Sequence, residues 1–522
     1  MSLLEDQPAT NVRFVSDEVL VRDNPTHIWI EPTNRCNTRC KHCGHFYDVF
    51  GRDMDIELYE KIKAAVLDDV ERIELIGYGE PLMAKNFERM FDDCLERGIR
   101  IYTTSNGILL RKDDLVAKLV RSDVYLCLSI DGARQETFEH IRPYVRWHKM
   151  LETLECIKRN ADAAGPETKF RFRFNYVAMR HSIGDLPDLV RLAHKYGAGE
   201  VFVLPLGGEE QFAEVNGESL RDAPELVSPA FLEALELAAE YDIHLTVPES
   251  FRPLILEGAE RGQGLRGKAA KAARRARLAS LYVKRNGFSA AWQRIVKKPT
   301  AGVRAKAGVT YCNMPWKDSY FASDGKIYPC CIMNETLGDM KTQSWEEIWN
   351  GAAYRNLRRT VHSWNPTAVC RFCPLPTGIN GGDDKQYARY FSRFRAEPVE
   401  LDADGVAFGG GFHGLERHED GSASHVWMGK TGTMTVPARR GAKFLRLTII
   451  TRSPGPDLNA GIANVNGGED EPFDNSCEHL HFPVEGIAGG KIELALEMER
   501  THHVEGDCRE LALVIRGVDY LF

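Results

Sequence analysis

Apolar and polar positions follow two different patterns along the chain. Between residues 25 and 250, short apolar runs such as HIWIEPT (27–33), RIELIG (72–77) and VYLCLSID (124–131) alternate with longer stretches whose apolar residues recur every three or four positions. The short runs have the length of buried strands, and the longer stretches have the period of amphipathic helices. Six such strand–helix units predict an α/β fold, with a parallel sheet that is covered by helices and is either open or curled into a partial barrel.

Toward the C-terminus the period changes from that of helices to that of strands. The runs KFLRLTII (443–450), KIELALEM (491–498) and ELALVIRGV (510–518) alternate between apolar and polar residues, and glycine-rich turns separate them. Alternation with a period of two is typical of strands that bury one face. Residues 398–522 are therefore predicted to form an all-β sandwich.

Length and composition indicate a globular protein of several domains. The chain has 522 residues, too many for a single hydrophobic core, and its net charge of −8 gives no indication of general nucleic-acid affinity. No apolar run approaches the roughly 18 residues of a membrane span, and the N-terminus lacks the pattern of a signal peptide, so a cytoplasmic location is expected. The predicted segments are an N-terminal extension (1–24), the barrel (25–250), a basic helical insert (251–307), a cysteine-rich domain (308–385) and the sandwich.

The basic insert departs from the charge balance of the rest of the chain. Residues 252–306 carry 15 lysines and arginines against two glutamates. Such a segment is either a solvated helical insertion or a patch for an anionic partner, such as a nucleotide-sugar phosphate, an anionic lipid-linked substrate or the membrane surface. No RNA-recognition motif accompanies it.

The cysteines are clustered, and the first cluster follows the first predicted strand. Of 13 cysteines, three lie at Cys36, Cys40 and Cys43, at the strand end where α/β proteins bind ligands. Clustered thiols in a reducing compartment favour metal ligation over disulfides. Three thiolates suit three irons of a [4Fe-4S] cluster and leave the fourth iron open, whereas a zinc site or buried core thiols are the alternatives.

The spacing C-x3-C-x2-C resembles the signature of the radical S-adenosylmethionine (SAM) enzymes. Three further stretches match that family in order, each at the end of a predicted strand: GYGEPL (77–82), TTSNG (103–107) and LSIDG (128–132). The resemblance implies a partial (βα)6 barrel whose [4Fe-4S] cluster chelates SAM through its open iron. It also implies that an electron cleaves SAM to methionine and a 5′-deoxyadenosyl radical, which abstracts a hydrogen atom.

The resemblance also assigns roles to single residues around SAM. Gly77 and Gly79 are expected to let the backbone approach the methionyl group, and Glu80 to accept its ammonium group. Arg142 is expected to pair with the SAM carboxylate. The residues placed near SAM in this way are Gly77, Gly79, Glu80, Asn106, Ser129, Asp131 and Arg142.

A second cysteine cluster resembles the auxiliary-cluster domain of the same enzymes. The pattern C-x12-G-x4-C, followed by C-x2-C, matches the SPASM/Twitch type, and the lack of a cysteine between 373 and 477 matches the shorter Twitch version. The resemblance implies one auxiliary [4Fe-4S] cluster, held by Cys312, Cys330, Cys370 and Cys373. The remaining Cys331 is a packing thiol, an alternative ligand or a hydrogen donor, and a zinc ribbon is the alternative for the whole cluster.

Three kinds of function follow from these motifs. The first is a radical SAM oxidoreductase that dehydrogenates a carbohydrate-like small molecule (a sugar, cyclitol or nucleotide-sugar) and receives electrons from a flavodoxin or ferredoxin. The second is a radical SAM peptide maturase or sulfatase-activating enzyme, with a sugar epimerase as a close variant. The third is a binding module that recruits the chain to glycan-assembly machinery.

Overall fold

The computed structural model describes residues 19–43, 51–206, 215–255, 312–331, 335–371, 394–451, 458–487, 489–504 and 507–522. Most of the basic insert and Cys373 lie outside these ranges, so the expectations attached to them are not addressed by the structure. Within the described residues the strands form three sheets, of which the largest has ten strands.

The first seven strands of the large sheet are parallel and follow chain order, as the strand–helix alternation predicts. They are β1 (His27–Ile30), β2 (Arg72–Leu75), β3 (Arg100–Ser105), β4 (Val124–Ser129), β5 (Arg171–Ala178), β6 (Glu200–Pro205) and β7 (His244–Leu245). The helices between them are α1 (Ile56–Val66), α2 (Phe87–Glu96), α3 (Asp113–Val120), α4 (Gln135–Ile141), α5 (Trp147–Ala164), α6 (Leu186–Tyr196) and α7 (Val227–Glu240). The partial barrel is thereby confirmed. No helix in the described ranges is long and apolar enough to cross a membrane.

The two faces of this sheet differ in chemistry. Ile28, Ile73 and Leu126 point toward the helices and belong to the main hydrophobic core. The opposite, inner face carries polar and charged residues instead, including Arg173 and Glu200, which are both buried. Parallel sheets are usually apolar on both faces, so a polar inner face marks this one as a place for polar ligands.

The cysteine-rich domain continues the barrel sheet. Strand β8 (Asp318–Phe321) pairs in parallel with β1, and β9 (Lys326–Tyr328) and β10 (Gly338–Asp339) follow in antiparallel order. The helices of this domain are α8 (Met314–Lys317), α9 (Trp345–Trp349), α10 (Ala352–Thr360) and α11 (Ala368–Arg371). Strand β1 is therefore hydrogen-bonded on both edges, to β2 and to β8.

The C-terminal region consists of two antiparallel sheets, as the period of two predicts. One contains β11 (Ala396–Val399), β13 (Phe412–Arg417), β14 (Ala423–Met428), β16 (Phe444–Ile449), β19 (His479–Pro483) and β21 (Leu513–Leu521). The other contains β12 (Ala407–Phe408), β15 (Thr431–Pro437), β17 (Ala460–Val465), β18 (Asp470–Asp474) and β20 (Lys491–Met498). Leu447 and Phe482 of the first sheet share one buried cluster with Met434 and Leu494 of the second, so the sheets pack face to face.

A buried histidine joins three neighbouring strands of the large sheet, β8, β1 and β2. On β1, the His27 imidazole lies 2.5 Å from an Asp318 carboxylate oxygen on β8 and 3.2 Å from a Glu74 carboxylate oxygen on β2. Burial acts to lower the pKa of His27, but the bonds to Asp318 and Glu74 outweigh it and the pKa is raised. The imidazolium form is therefore favoured, and it links β8, β1 and β2.

This link predicts a pH-dependent contribution to stability. Because the folded-state pKa of His27 is raised above its usual value of 6.5, the contribution is fully present below that pH and is lost as the pH rises through the raised pKa. Thermal unfolding of His27→Asn, compared with wild type under anaerobic conditions, should show the largest midpoint difference at low pH. The exposed His148→Asn variant serves as the control, and a difference that stays constant from acid to alkaline pH would contradict the assignment.

Candidate functional site

The first three cysteines lie on a tight loop directly after β1. Cys40 is buried, whereas Cys36 and Cys43 are half-buried. The Thr38 hydroxyl lies 3.1 Å from the Cys36 sulfur and 3.5 Å from the Cys40 sulfur, and the Cys43 backbone N–H donates to the Cys40 carbonyl. The loop thus holds its thiols at the C-terminal end of the strand, where the sequence places them.

A buried ion pair supports Cys40. The Arg142 guanidinium lies 3.3 Å from the Cys40 sulfur and donates to Asp131 at 2.6 Å, while the second Asp131 oxygen accepts the Val177 backbone N–H. Burial raises the pKa of the Cys40 thiol, and the neighbouring Arg142 cation opposes that rise. Arg142 is thus directed at the sulfur in this structure, and its pairing with a SAM carboxylate stays a prediction.

Glu80 holds the turn after β3 next to the cysteine loop. One of its oxygens accepts the Asn106 backbone N–H at 2.7 Å, and the other accepts the Ser105 hydroxyl at 2.8 Å. The Asn106 amide then donates to Asn37 at 2.7 Å and points toward the Cys36 sulfur at 3.8 Å. Glu80 is 2% exposed, and burial raises its pKa to about 7.

These contacts bear on the roles that the resemblance assigns. Both Glu80 oxygens are engaged with the neighbouring turn, which favours a positioning role for this side chain, and its acceptance of the SAM ammonium stays a prediction. Asp131 is fully buried and orients Arg142. Ser129 ends β4 at the same sheet edge, half-buried and in register with Asn175.

The two glycines of GYGEPL are required by the packing of the chain itself. A Cβ atom on Gly79 would lie 2.3 Å from the Arg35 carbonyl oxygen and 2.7 Å from the Arg35 nitrogen. A Cβ atom on Gly77 would lie 2.3 Å from the Cγ atom of Glu31. The turn after β2 therefore lies directly against β1 and the cysteine loop.

Two residues of the site are not among those expected from the motifs. Glu31, just after β1, accepts the Tyr78 backbone N–H at 2.9 Å through one oxygen and the Ser323 hydroxyl at 2.6 Å through the other. His42 lies between Cys40 and Cys43 in the chain, and its ring nitrogen is 3.5 Å from Asp131. The sequence gives one signal for Glu31, a carboxylate directly after the apolar run HIWI, but none for its contacts with Tyr78 and Ser323.

The second cysteine cluster is described in part. Cys312 precedes α8, Cys330 follows β9 and Cys370 lies within α11, all three half-buried. The His362 ring nitrogen lies 2.7 Å from the Cys312 carbonyl oxygen. Cys331 is exposed, and with Cys373 outside the described residues the four-cysteine ligand set stays a prediction.

The first site fits a [4Fe-4S] cluster by the chemistry of its donors. Soft thiolates are the ligands that such clusters select, and N–H groups near the sulfurs stabilise them. Here three thiols share one loop, and Arg142 and Asn106 direct N–H groups at two of the sulfurs. The glycine turn and the Asn106 turn both contact that loop at the same sheet edge.

Family models match both parts of this arrangement. Residues 30–202 match the Radical SAM superfamily, and residues 312–374 match SPASM, the iron-sulfur cluster-binding domain. The fold and the site thus define an iron–sulfur enzyme. The chain is a radical SAM enzyme with a SPASM domain, which implies a [4Fe-4S] cluster that binds SAM together with auxiliary iron–sulfur centres.

Three characterised relatives cover different shares of the chain. The AdoMet-dependent heme synthase of Methanosarcina barkeri is 24% identical over 396 residues, which are 73% of this chain and 97% of that one. The mycofactocin maturase of Mycobacterium ulcerans is 29% identical over 34% of this chain and 46% of its own length. The tungsten-containing aldehyde ferredoxin oxidoreductase cofactor-modifying protein of Pyrococcus furiosus is 29% identical over 35% of this chain and 53% of its own length. The matched part thus spans about half of the latter two proteins.

The close approach at Gly79 predicts a loss of SAM binding on adding one methyl group. In Gly79→Ala the new Cβ atom meets backbone atoms of Arg35, which cannot move aside without shifting the cysteine loop. We expect SAM affinity of the reconstituted enzyme, measured by anaerobic equilibrium binding, to fall at least tenfold. Gly199→Ala, which adds a methyl group to open space, should leave it unchanged. Equal SAM affinities of the Gly79→Ala and Gly199→Ala variants would contradict the prediction, because they would show that the turn after β2 accommodates the added methyl group.

The contacts of Glu31 predict a second effect on SAM binding. In Glu31→Gln one carboxylate oxygen becomes an amide donor, which faces the backbone N–H of either Tyr78 or Ser323. Opposing donors in a buried site cost about 1–3 kcal/mol, so we expect SAM affinity to fall about tenfold in the same binding assay. The exposed Glu71→Gln variant is the matched control. Unaltered affinity in Glu31→Gln would rule out a role for this carboxylate in placing the turn.

Proposed function

We propose that this enzyme is a maturase that abstracts a hydrogen atom from a peptide or from a cofactor precursor bound in the barrel. The observation that carries the proposal is that the first cysteine loop and Cys330 lie toward opposite ends of β1. The cysteine loop follows the C-terminal end of β1. Strand β9 runs antiparallel to β8, so Cys330, two residues after β9, returns toward the N-terminal end.

This placement puts the inner face of the sheet between the two sites. Four residues of β1 span about 13 Å at the usual rise of about 3.3 Å per residue. A substrate on the inner face then lies between the SAM site and the auxiliary site. When bound, the SAM-binding cluster supplies the electron that cleaves SAM and so generates the deoxyadenosyl radical.

The inner face supports a polar substrate. Arg173 donates to Asn175 at 2.8 Å and contacts Glu200 at 3.4 Å, while Tyr125 donates to the same Glu200 carboxylate at 2.7 Å. The Arg173 guanidinium lies over the Phe202 ring at 4.1 Å. These groups hold one another in place, and they give the inner face of the sheet the polar character that suits a polar substrate.

The relatives favour the maturase over the carbohydrate oxidoreductase. Their names describe a heme synthase, a maturase and a cofactor-modifying protein, and a carbohydrate-like substrate finds no support among them. We therefore replace the expected dehydrogenation of a carbohydrate-like molecule by the alternative, the maturation of a peptide or cofactor precursor. A flavodoxin or ferredoxin is the proposed electron donor. Contact of the basic insert with an anionic lipid or membrane finds no support in the comparisons.

The proposal predicts which fraction of a cell extract stimulates SAM cleavage. We expect the anaerobic enzyme with SAM and a low-potential reductant to form 5′-deoxyadenosine faster when peptide or tetrapyrrole-containing fractions are added. The sugar-phosphate fraction should have no effect, and stimulation by that fraction alone would overturn the maturase proposal. Cys40→Ala should abolish the product, whereas the exposed Cys508→Ala should form it at the wild-type rate.

A further inference from the structure

The segment that leads from α10 into Cys370 lies against the C-terminal β-sheets. Asn365 makes a two-sided contact there: its amide donates to the His481 carbonyl at 3.0 Å, and its oxygen accepts the His481 N–H at 2.7 Å. Asn365 is 1% exposed, and His481 is on β19, which among the described strands pairs with β16 alone and so forms an edge of its sheet. The asparagine side chain thus bonds the edge of β19 as a further strand would.

The same β-sheets hold both ends of α11, the helix that contains Cys370. At its start, the Ala368 backbone N–H donates to the Ser476 hydroxyl at 3.0 Å. At its end, the Arg371 guanidinium donates to the His479 carbonyl at 2.6 Å. Ser476 is itself fixed, because its N–H donates to Asp474 at 2.9 Å.

Further contacts join the two regions around this helix. The second Asp474 oxygen accepts the Asn356 amide of α10 at 3.0 Å, and both side chains are buried. Trp364 packs edge-on against Phe444 with ring centroids 4.9 Å apart, in a small apolar cluster of its own. The interface therefore combines buried hydrogen bonds with a buried aromatic contact.

Helix α11 needs such contacts because it has only four residues. A helix of one turn is unstable on its own, so tertiary contacts must determine where its side chains lie. Of the other described cysteines of this cluster, Cys330 is held by the large sheet, whereas Cys312 contacts the segment between α10 and α11. Cys312 lies beside His362, and Cys330 follows β9 of the large sheet.

We propose that the C-terminal β-sheets act as a clamp that positions Cys370 for the auxiliary iron–sulfur cluster, with Asn365 and Ser476 as positioning residues. Cys330 is then positioned by the large sheet, whereas the helix that carries Cys370 packs on the main core and is bonded at both ends to the C-terminal sheets. The inference rests on the SPASM cluster and not on the identity of the substrate, so it is independent of the maturase proposal.

Full-length Asn365→Ala tests the clamp. The substitution leaves the His481 N–H and carbonyl without their buried partner, and the segment before α11 loses its anchor on β19. After anaerobic reconstitution we expect about four irons fewer per chain than in wild type, the content of one [4Fe-4S] cluster. The electron paramagnetic resonance signal of the SAM-binding cluster, and its change on adding SAM, should be retained.

Asn464→Ala is the matched control, an asparagine of the same C-terminal sheets that bonds Asp470 and Gly468 away from this interface. It should keep the wild-type iron content. Ser476→Ala is a milder second variant, in case Asn365→Ala does not fold, and it removes the hydroxyl that accepts the Ala368 N–H and contacts the Cys477 sulfur. We expect it to fold, as judged by circular dichroism, and to release its auxiliary iron to a chelator at least threefold faster than wild type. Wild-type iron content in Asn365→Ala, together with wild-type release in Ser476→Ala, would overturn the proposal.

Discussion

The parallel pairing of β1 with β8 is the constraint on which the rest of the structure depends. A strand of four residues is short, yet β1 is hydrogen-bonded along both edges and carries the cysteine loop at its end. The pairing aligns His27 with Asp318, so the charge contact between these side chains forms only in this register. A shift by one residue would turn the polar face of β1 into the apolar core.

Buried charge around the site serves to orient groups. Burying a carboxylate is costly unless it is hydrogen-bonded, and Glu31, Glu80 and Asp131 each have both oxygens engaged. Each of them joins segments that are distant in the chain: Glu31 joins the glycine turn to the SPASM domain, and Glu80 joins that turn to the one after β3. Burial of these carboxylates is unfavourable by itself, but their hydrogen bonds offset that cost and fix the geometry around the cysteine loop.

Local chemistry was predictable from the sequence, and long-range pairing was not. The thiol spacing, the glycine turn and the period of the strands are properties of short windows, and they led to the barrel and to the candidate SAM site. The pairing of β8 with β1 joins segments 291 residues apart, as His27 and Asp318 show, and strands of two to four residues carry no period of their own. The packing roles of Gly79 and Glu31 were hidden for the same reason, because each depends on a neighbour from another segment.

The contact between the C-terminal sheets and the segment around α11 stabilises two features at once, the edge of β19 and the short helix α11. Strand β19 is an edge whose backbone groups need partners, and an exposed edge invites pairing with other chains. Helix α11 is too short to define its own position, yet it carries Cys370, a proposed ligand of the auxiliary cluster. The Asn365 amide bonds the edge and fixes the approach to the helix at the same time. Because this contact joins residues 116 positions apart, the anchor on the approach to Cys370 forms only in a chain that has folded its C-terminal sheets.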